Sequence, residues 1–326
     1  MNFRRVRSVA AIVFAAGLLI VHVGAWQTPR ASAILDGAQL LRDLKVLTAD
    51  DMEGRQVDTA GGAKARAYVV ERFKASGIAP FGDSYESPFT FTGGRGANAA
   101  ERRGVNVIGK VDGTRDASRY LVVSAHYDHI GVRNGTVFNG ADDNASGTAA
   151  LFALGKYFSE HRPEHSVIFA AFDGEEAGLR GSQAFVRQPP VPAGSIVVNV
   201  NMDMISRDPD NKLFAVGTRA NPFLKPYLER VAASSPIKLL FGHEDPGGKA
   251  NSPDEDWSRD SDHYSFQQAG IPAIYLGDED FDQHHKATDD FETVTVNFYI
   301  GAVETSIAVV REFDRNLDAI AGRRAP

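Results

Sequence analysis

The stretch Phe169–Phe185, FAAFDGEEAGLRGSQAF, decides how this chain folds. Its first residues continue a run, Val167–Phe172, short and unbroken as in a strand buried on both faces. The run stops at Asp173-Gly174-Glu175-Glu176-Ala177-Gly178, after which Leu179–Val186 reads as a helix. A buried strand, a turn boxed by glycines and a helix together make part of an α/β unit. Two adjacent glutamates at the strand's end are either solvated charge or chemistry, and the remaining sequence decides between them.

Similar strand-like runs occur at Val105–Ile108, Tyr120–Ala125, Ser166–Phe172, Ser195–Val200, Lys212–Val216 and Ile271–Leu276. Helical patterns lie between several of them, at Ala145–Phe158, Asn221–Ala233 and Val294–Phe313. Two more precede them, one around Leu40, Leu41, Leu44 and Leu47 and one over Ala60–Gly77. The alternation predicts an α/β sandwich around a largely parallel sheet. No internal repeat follows Ile34, so residues 34–326 read as a single domain. Gly242–His263 is a long polar connector, of the kind that is functional or mobile.

Composition narrows the chemistry. The 326 residues are 43% hydrophobic and 24% charged, enough apolar material for a substantial core. The net charge of −7 and the lack of a basic block argue against nucleic-acid or anionic-membrane partners. With no cysteine, disulfides and thiolate ligands are excluded, so a metal would need His and carboxylates. The first 26 residues carry three arginines, then an apolar stretch from about Val9 to Trp26, followed by small residues at Ala31–Ala33. This layout predicts that residues 1–33 are a secretory leader, or failing cleavage a membrane anchor, and that the protein is exported, periplasmic or secreted.

Ligands of open α/β sheets gather outside the carboxyl ends of strands. There the sequence places His126 and Asp128, then Glu175 and Glu176, then Asp203, then His284 and His285. NGADDNASG, 139–147, adds Asp142 and Asp143 at a helix start. Each has an ordinary reading alone: the aspartates as helix caps, His126 as a core histidine, the glutamates as surface charge. Together at one sheet edge they match the needs of two divalent ions, which take a bridging carboxylate plus separate ligands. His126 and Asp203 suit one ion and Glu176 and His285 the other, with Asp143 spanning both. Asp128 is placed to accept the second N–H of His126, and Glu175 remains as a general base.

The blocks SAHYDHIG, NGADDNASGTAA, FDGEEAGLRGSQ, NMDM, SDHYSFQQAGIPAIYL and HHKATDDFETV, spanning Ser124–Val294, closely resemble the M28 family of zinc peptidases. The resemblance implies a three-layer α/β/α sandwich with a mixed sheet and two zinc ions, with manganese or cobalt as substitutes. It implies His126, Asp143, Glu176, Asp203 and His285 as metal ligands, Glu175 as general acid/base and Asp128 as the partner of His126. A His-x-x-x-Asp register selects His285 over His284. A protease-associated insertion would fall where this chain has only GGRGANAAERR, 93–103, so none is expected. The oxyanion donor falls among Trp257, Ser258, Arg259 and Asp260, and Ser261-Asp262 reads equally as a helix cap or a pocket pair. The implied activity is exopeptidase action on peptides, foremost as an aminopeptidase. Rival readings are a carboxypeptidase using Arg133, Arg180 or Arg259, a one-zinc glutaminyl cyclase, and a non-catalytic receptor-like relative.

Overall fold

The computed structural model describes residues 29–94, 99–250, 252 and 254–323. The leader reading therefore falls mostly outside the described residues, as do positions 95–98 of the segment 93–103. Two helices open the described chain: α1 (Gly37–Leu47), capped by Asp36, and α2 (Ala60–Ala75), capped by Thr59. An edge hairpin follows from β1 (Ala79–Pro80), β2 (Glu86–Gly93) and β3 (Ala100–Val111), leading into β4 (Asp116–His126). After the small ribbon β5 (Val132–Arg133) and β6 (Thr136–Val137) come α3 (Gly147–Glu160), β7 (His165–Phe172) and α4 (Arg180–Arg187). The chain continues through β8 (Ile196–Met202), β9 (Lys212–Val216), α5 (Lys225–Ala232), β10 (Lys238–Phe241) and α6 (His263–Gln268). It ends with β11 (Ala273–Gly277), α7 (Val296–Arg315) and α8 (Leu317–Ala321).

Nine strands form one sheet in the order β1-β3-β7-β4-β8-β11-β9-β10, with β2 also on β3. The four central strands β7, β4, β8 and β11 run parallel, whereas β3 and β9 join them antiparallel. The alternation of side chains then separates two cores. Val167, Phe169 and Ala171 of β7 and Leu121, Val123 and Ala125 of β4 face α1, α2, α3, α5 and α7. Ile168, Ala170, Phe172 and Val122 face α4 and α6, where Phe185 and Phe266 pack on Phe172. The result is the α/β/α sandwich with a mixed sheet, parallel at its centre, that the sequence predicts.

The differences are local. β2 and β10 carry no strand prediction: β2 alternates exposed and half-buried residues and includes Pro88, which only an edge accommodates. The polar connector closes directly into α6, whose start at His263 the sequence reading leaves inside the loop.

Because the four central strands are parallel, their carboxyl ends lie at a common edge. His126 ends β4, Asp173–Glu176 follow β7, Asp203 follows β8, and residues 278–288 follow β11.

Candidate metal centre

Asp143 lies where these strand ends meet, on the turn that enters α3. Its Oδ1 is 3.4 Å from His126 Nε2, and that nitrogen is 3.1 Å from Asp203 Oδ1. Its Oδ2 faces the opposite way, 3.2 Å from His285 Nε2, which is also 3.0 Å from Glu176 Oε2. The two oxygens of one carboxylate therefore face two separate donor sets. His284 stands farther off, its Nε2 3.8 Å from Asp143 Oδ2. The structure thus brings together His126, Asp143, Glu176, Asp203 and His285, and Glu175 lines the same cleft. Their oxygen and imidazole nitrogen donors, with no sulfur, suit zinc as well as manganese or cobalt.

Asp128 stands beside His126 and does more besides. The nearest acceptor to His126 Nδ1 is the Asp128 backbone carbonyl at 3.1 Å, while the carboxylate is 3.7 Å away. That buried carboxylate also accepts the backbone N–H of Glu175 at 3.0 Å and of Glu176 at 3.4 Å. A sharp turn with left-handed glycines, Gly174 at φ +72 and Gly178 at φ +99, leaves such N–H groups without helical partners, and Asp128 satisfies them. The paired glutamates are thereby aimed by a residue of the preceding strand end.

Other groups position the ligands in ways that the sequence patterns naming Asp289 and Ser261 do not specify. Asp289 accepts the N–H groups of Asp142 and Asp143, both within 3.1 Å, and so fixes the turn bearing Asp143. Ser261 donates to Asp203 Oδ2 at 2.6 Å and accepts from Asn201 at 2.7 Å. That bond extends a buried chain in which Asn201 Oδ1 accepts from Ser124, and Ser124 in turn accepts from Asn199. The side chain of Ser261 therefore orients Asp203, and Asp262 makes no side-chain cap bond. His129, three residues past His126, is fully buried with Nδ1 2.7 Å from Glu176 Oε1. A second histidine in SAHYDHIG was the one available clue to it.

A model of peptidase family M28 matches residues 106–310. The chain belongs to peptidase family M28. Among its relatives, a probable zinc metalloprotease of Pyrenophora tritici-repentis is 27% identical over 210 residues, covering 55% of this chain and 48% of that protein. The chain spans about half the length of the curated relatives it matches. A zinc aminopeptidase from Bacillus subtilis superposes with a TM-score of 0.68 at 14% identity, over 86% of this chain and 96% of its own. A glutaminyl cyclase from Fimbriiglobus ruber superposes with 0.67 at 20% identity, over 87% and 98%. At such identities these likenesses establish the shared fold.

The electrostatics of this M28 chain are those of an acid cluster in need of cations. Burial would raise the Asp143 carboxyl, yet His129, His285, His126 and His284 hold it far below the usual range. Burial and Asp143 likewise push Glu176 up, but His129 and His285 bring it down to about 2. His285 is raised to about 10 by its bonds to Asp143 and Glu176. Burial would lower His126, yet Asp203 and Glu175 likewise raise it. Glu175 differs: burial pushes its carboxyl well above the carboxylate range, His126 opposes, and Asp203, Asp262 and Glu176 add to the rise.

The cleft over these groups has a volume of about 420 Å³. Met204, Leu179, Trp257 and Phe281 form its apolar wall, with Trp257 stacked on His243 at 3.5 Å. Glu255, Asp260, Asp278 and Asp280 add acidic groups, and Arg259 adds a cation. Arg133 and Arg180 line a neighbouring cleft instead.

Proposed function

We propose that this chain is an exported, zinc-dependent exopeptidase, specifically an aminopeptidase acting on the N-terminal residues of peptides. The supporting observation is that Asp143 directs its two oxygens to two donor sets, His126 with Asp203 and Glu176 with His285. Those residues would hold two zinc ions, with manganese or cobalt as substitutes. Bound there, the ions supply Lewis acidity and make water a nucleophile at neutral pH.

The chain's own groups perform the rest. Glu175 lines the cleft outside both donor sets and accepts the proton of the attacking water on its carboxylate. It then returns that proton to the departing amine nitrogen, which makes cleavage irreversible in practice. Asp128, through the backbone of Glu175 and Glu176, keeps one glutamate in the donor set and its neighbour beside it. The acids of the cleft favour the cationic α-amine of a free N-terminus, and Trp257 and Phe281 offer a surface for the side chain of the first residue. Of the three arginines considered for a terminal carboxylate, Arg133 and Arg180 line a neighbouring cleft and Arg259 stands in this one among Glu255, Asp260, Asp278 and Asp280, an acidic excess that favours amino- over carboxypeptidase action.

The test removes metal with a chelator, restores zinc stepwise and assays peptides with free and acetylated N-termini. Activity that completes at two equivalents and acts on free N-termini alone is expected. Release of C-terminal residues from acetylated peptides would replace the reading with a carboxypeptidase. Full activity at one equivalent with ring closure of N-terminal glutamine would replace it with a cyclase.

A further inference from the structure

His129 is buried to 0% exposure beside the donor set of Glu176 and His285. Its Nδ1 is 2.7 Å from Glu176 Oε1 and 3.6 Å from Asp143 Oδ2, and its ring centroid is 5.9 Å from that of His285. Neither ring nitrogen has a hydrogen-bond partner among the described residues, and neither does Glu176 Oε1. The 2.7 Å approach is thus off the axis of any ring N–H. Buried polar atoms are almost always satisfied, and a core histidine with two bare nitrogens would be a costly exception. Two such atoms, 2.7 Å apart and misaligned for a hydrogen bond, are spaced as donors around a third body.

The spacing agrees. His129, Asp143 and Glu176 each offer one donor atom, all within 4.8 Å of one another. Donors about 2.0–2.1 Å from a tetrahedral zinc lie about 3.3 Å apart. The contacts linking His129, Asp143, Glu176 and His285, from 2.7 to 3.6 Å, bracket that value. The backbone also makes room for the ring. Gly140 has φ +56, and a Cβ there would lie 2.5 Å from His129 Cδ2 and 2.6 Å from Cγ. Only glycine lets the turn carrying Asp143 lie so close to this imidazole.

We propose that His129 is a further metal ligand, binding through Nδ1 the ion held by Glu176 and His285. The inference rests on the two-metal reading above. That ion then has four protein donors, Asp143, Glu176, His129 and His285, as in closed structural sites. Its neighbour keeps three, His126, Asp143 and Asp203, and an open position. The two ions differ in role: one closed and tightly held, the other accessible to water and substrate.

Cobalt substitution tests this without relying on a variant. In the proton spectrum of the cobalt-loaded full chain, each ligated imidazole contributes one exchangeable, strongly shifted N–H resonance. Three are expected, from His126, His129 and His285. Two bound ions with only two shifted resonances would overturn the inference and leave the two-metal reading intact. A chain that takes up no second ion would overturn the two-metal reading itself. In the variant His129→Leu one shifted resonance should vanish, and affinity for one ion should fall by more than the roughly 10–100-fold cost of losing an outer hydrogen bond. Retention of both ions at parental affinity would also overturn the assignment.

Discussion

Glu175 and Glu176 share a turn and a buried setting, and what faces them separates their chemistry. His129 and His285 face Glu176 and keep it ionised, as a ligand must be. Burial, with Asp203, Asp262 and Glu176 crowding it, raises the Glu175 carboxyl above the usual range, so its carboxylate takes up a proton more readily than an ordinary one, as a general base requires. Glu175→Gln keeps the shape and removes the transferable proton. It should bind two zinc ions, measured by metal analysis, while kcat falls roughly 10²–10⁴-fold. Near-parental turnover would remove Glu175 from the mechanism. The residues that converge at Asp143 were legible in the sequence because each sits just past a strand-like run, where parallel strands deliver their ends to one edge. Asp128 was legible as the neighbour of His126 and not as the acceptor of the Glu175 and Glu176 N–H groups, because no residue pattern displays a backbone N–H.

At the scale of elements, the site depends on buried bonds between segments far apart in sequence. Arg55, at the end of a short 3-10 turn, is fully buried, and burial lowers its pKa to about 10. It donates to Leu47 O at 2.8 Å, Tyr127 O at 2.9 Å and Gly140 O at 2.9 Å, and also to Asn139 O. It thereby ties the end of α1, the segment after β4 and the turn before Asp143 to one planar group. Lysine cannot reproduce that fork. Arg55→Lys should lower unfolding stability by about 3 kcal/mol, as carbonyls lose their partner, read from the urea midpoint at unchanged slope. Ser261→Ala should cost about 1–3 kcal/mol by leaving Asp203 Oδ2 and Asn201 Nδ2 unpaired. It should also weaken metal binding roughly 10–100-fold, measured by competition with a chromophoric chelator. The central strands and most helices were legible from apolar runs and periodicity. β2 and β10 lie at sheet edges, where half-exposed residues blur the pattern, and α6 is too short to show one.

For the whole molecule, layer architecture was legible and strand order was not. Alternating apolar strands and helices specify layers, but nothing in Lys212–Val216 declares that it pairs antiparallel with β11 and parallel with β10. That arrangement brings the loops after β4, β7, β8 and β11 to a common edge and concentrates Asp143, Glu175, Glu176 and Asp203 in one cleft. Their mutual repulsion, eased in part by nearby imidazoles and by Arg55, opposes the closure of these loops. Cations that bind the folded chain and not the unfolded one should therefore stabilise the entire fold, by about 4 kcal/mol per ion at a free concentration a thousand times its Kd. Thermal melts across a zinc series should show a midpoint that climbs with free zinc and falls on chelation. Asp143 faces both donor sets, so Asp143→Asn should abolish most of the dependence. Asp203→Asn, touching one set, should leave the rise due to the other ion. A midpoint indifferent to zinc in the parent chain, or equal losses in the two variants, would contradict a centre spanned by Asp143.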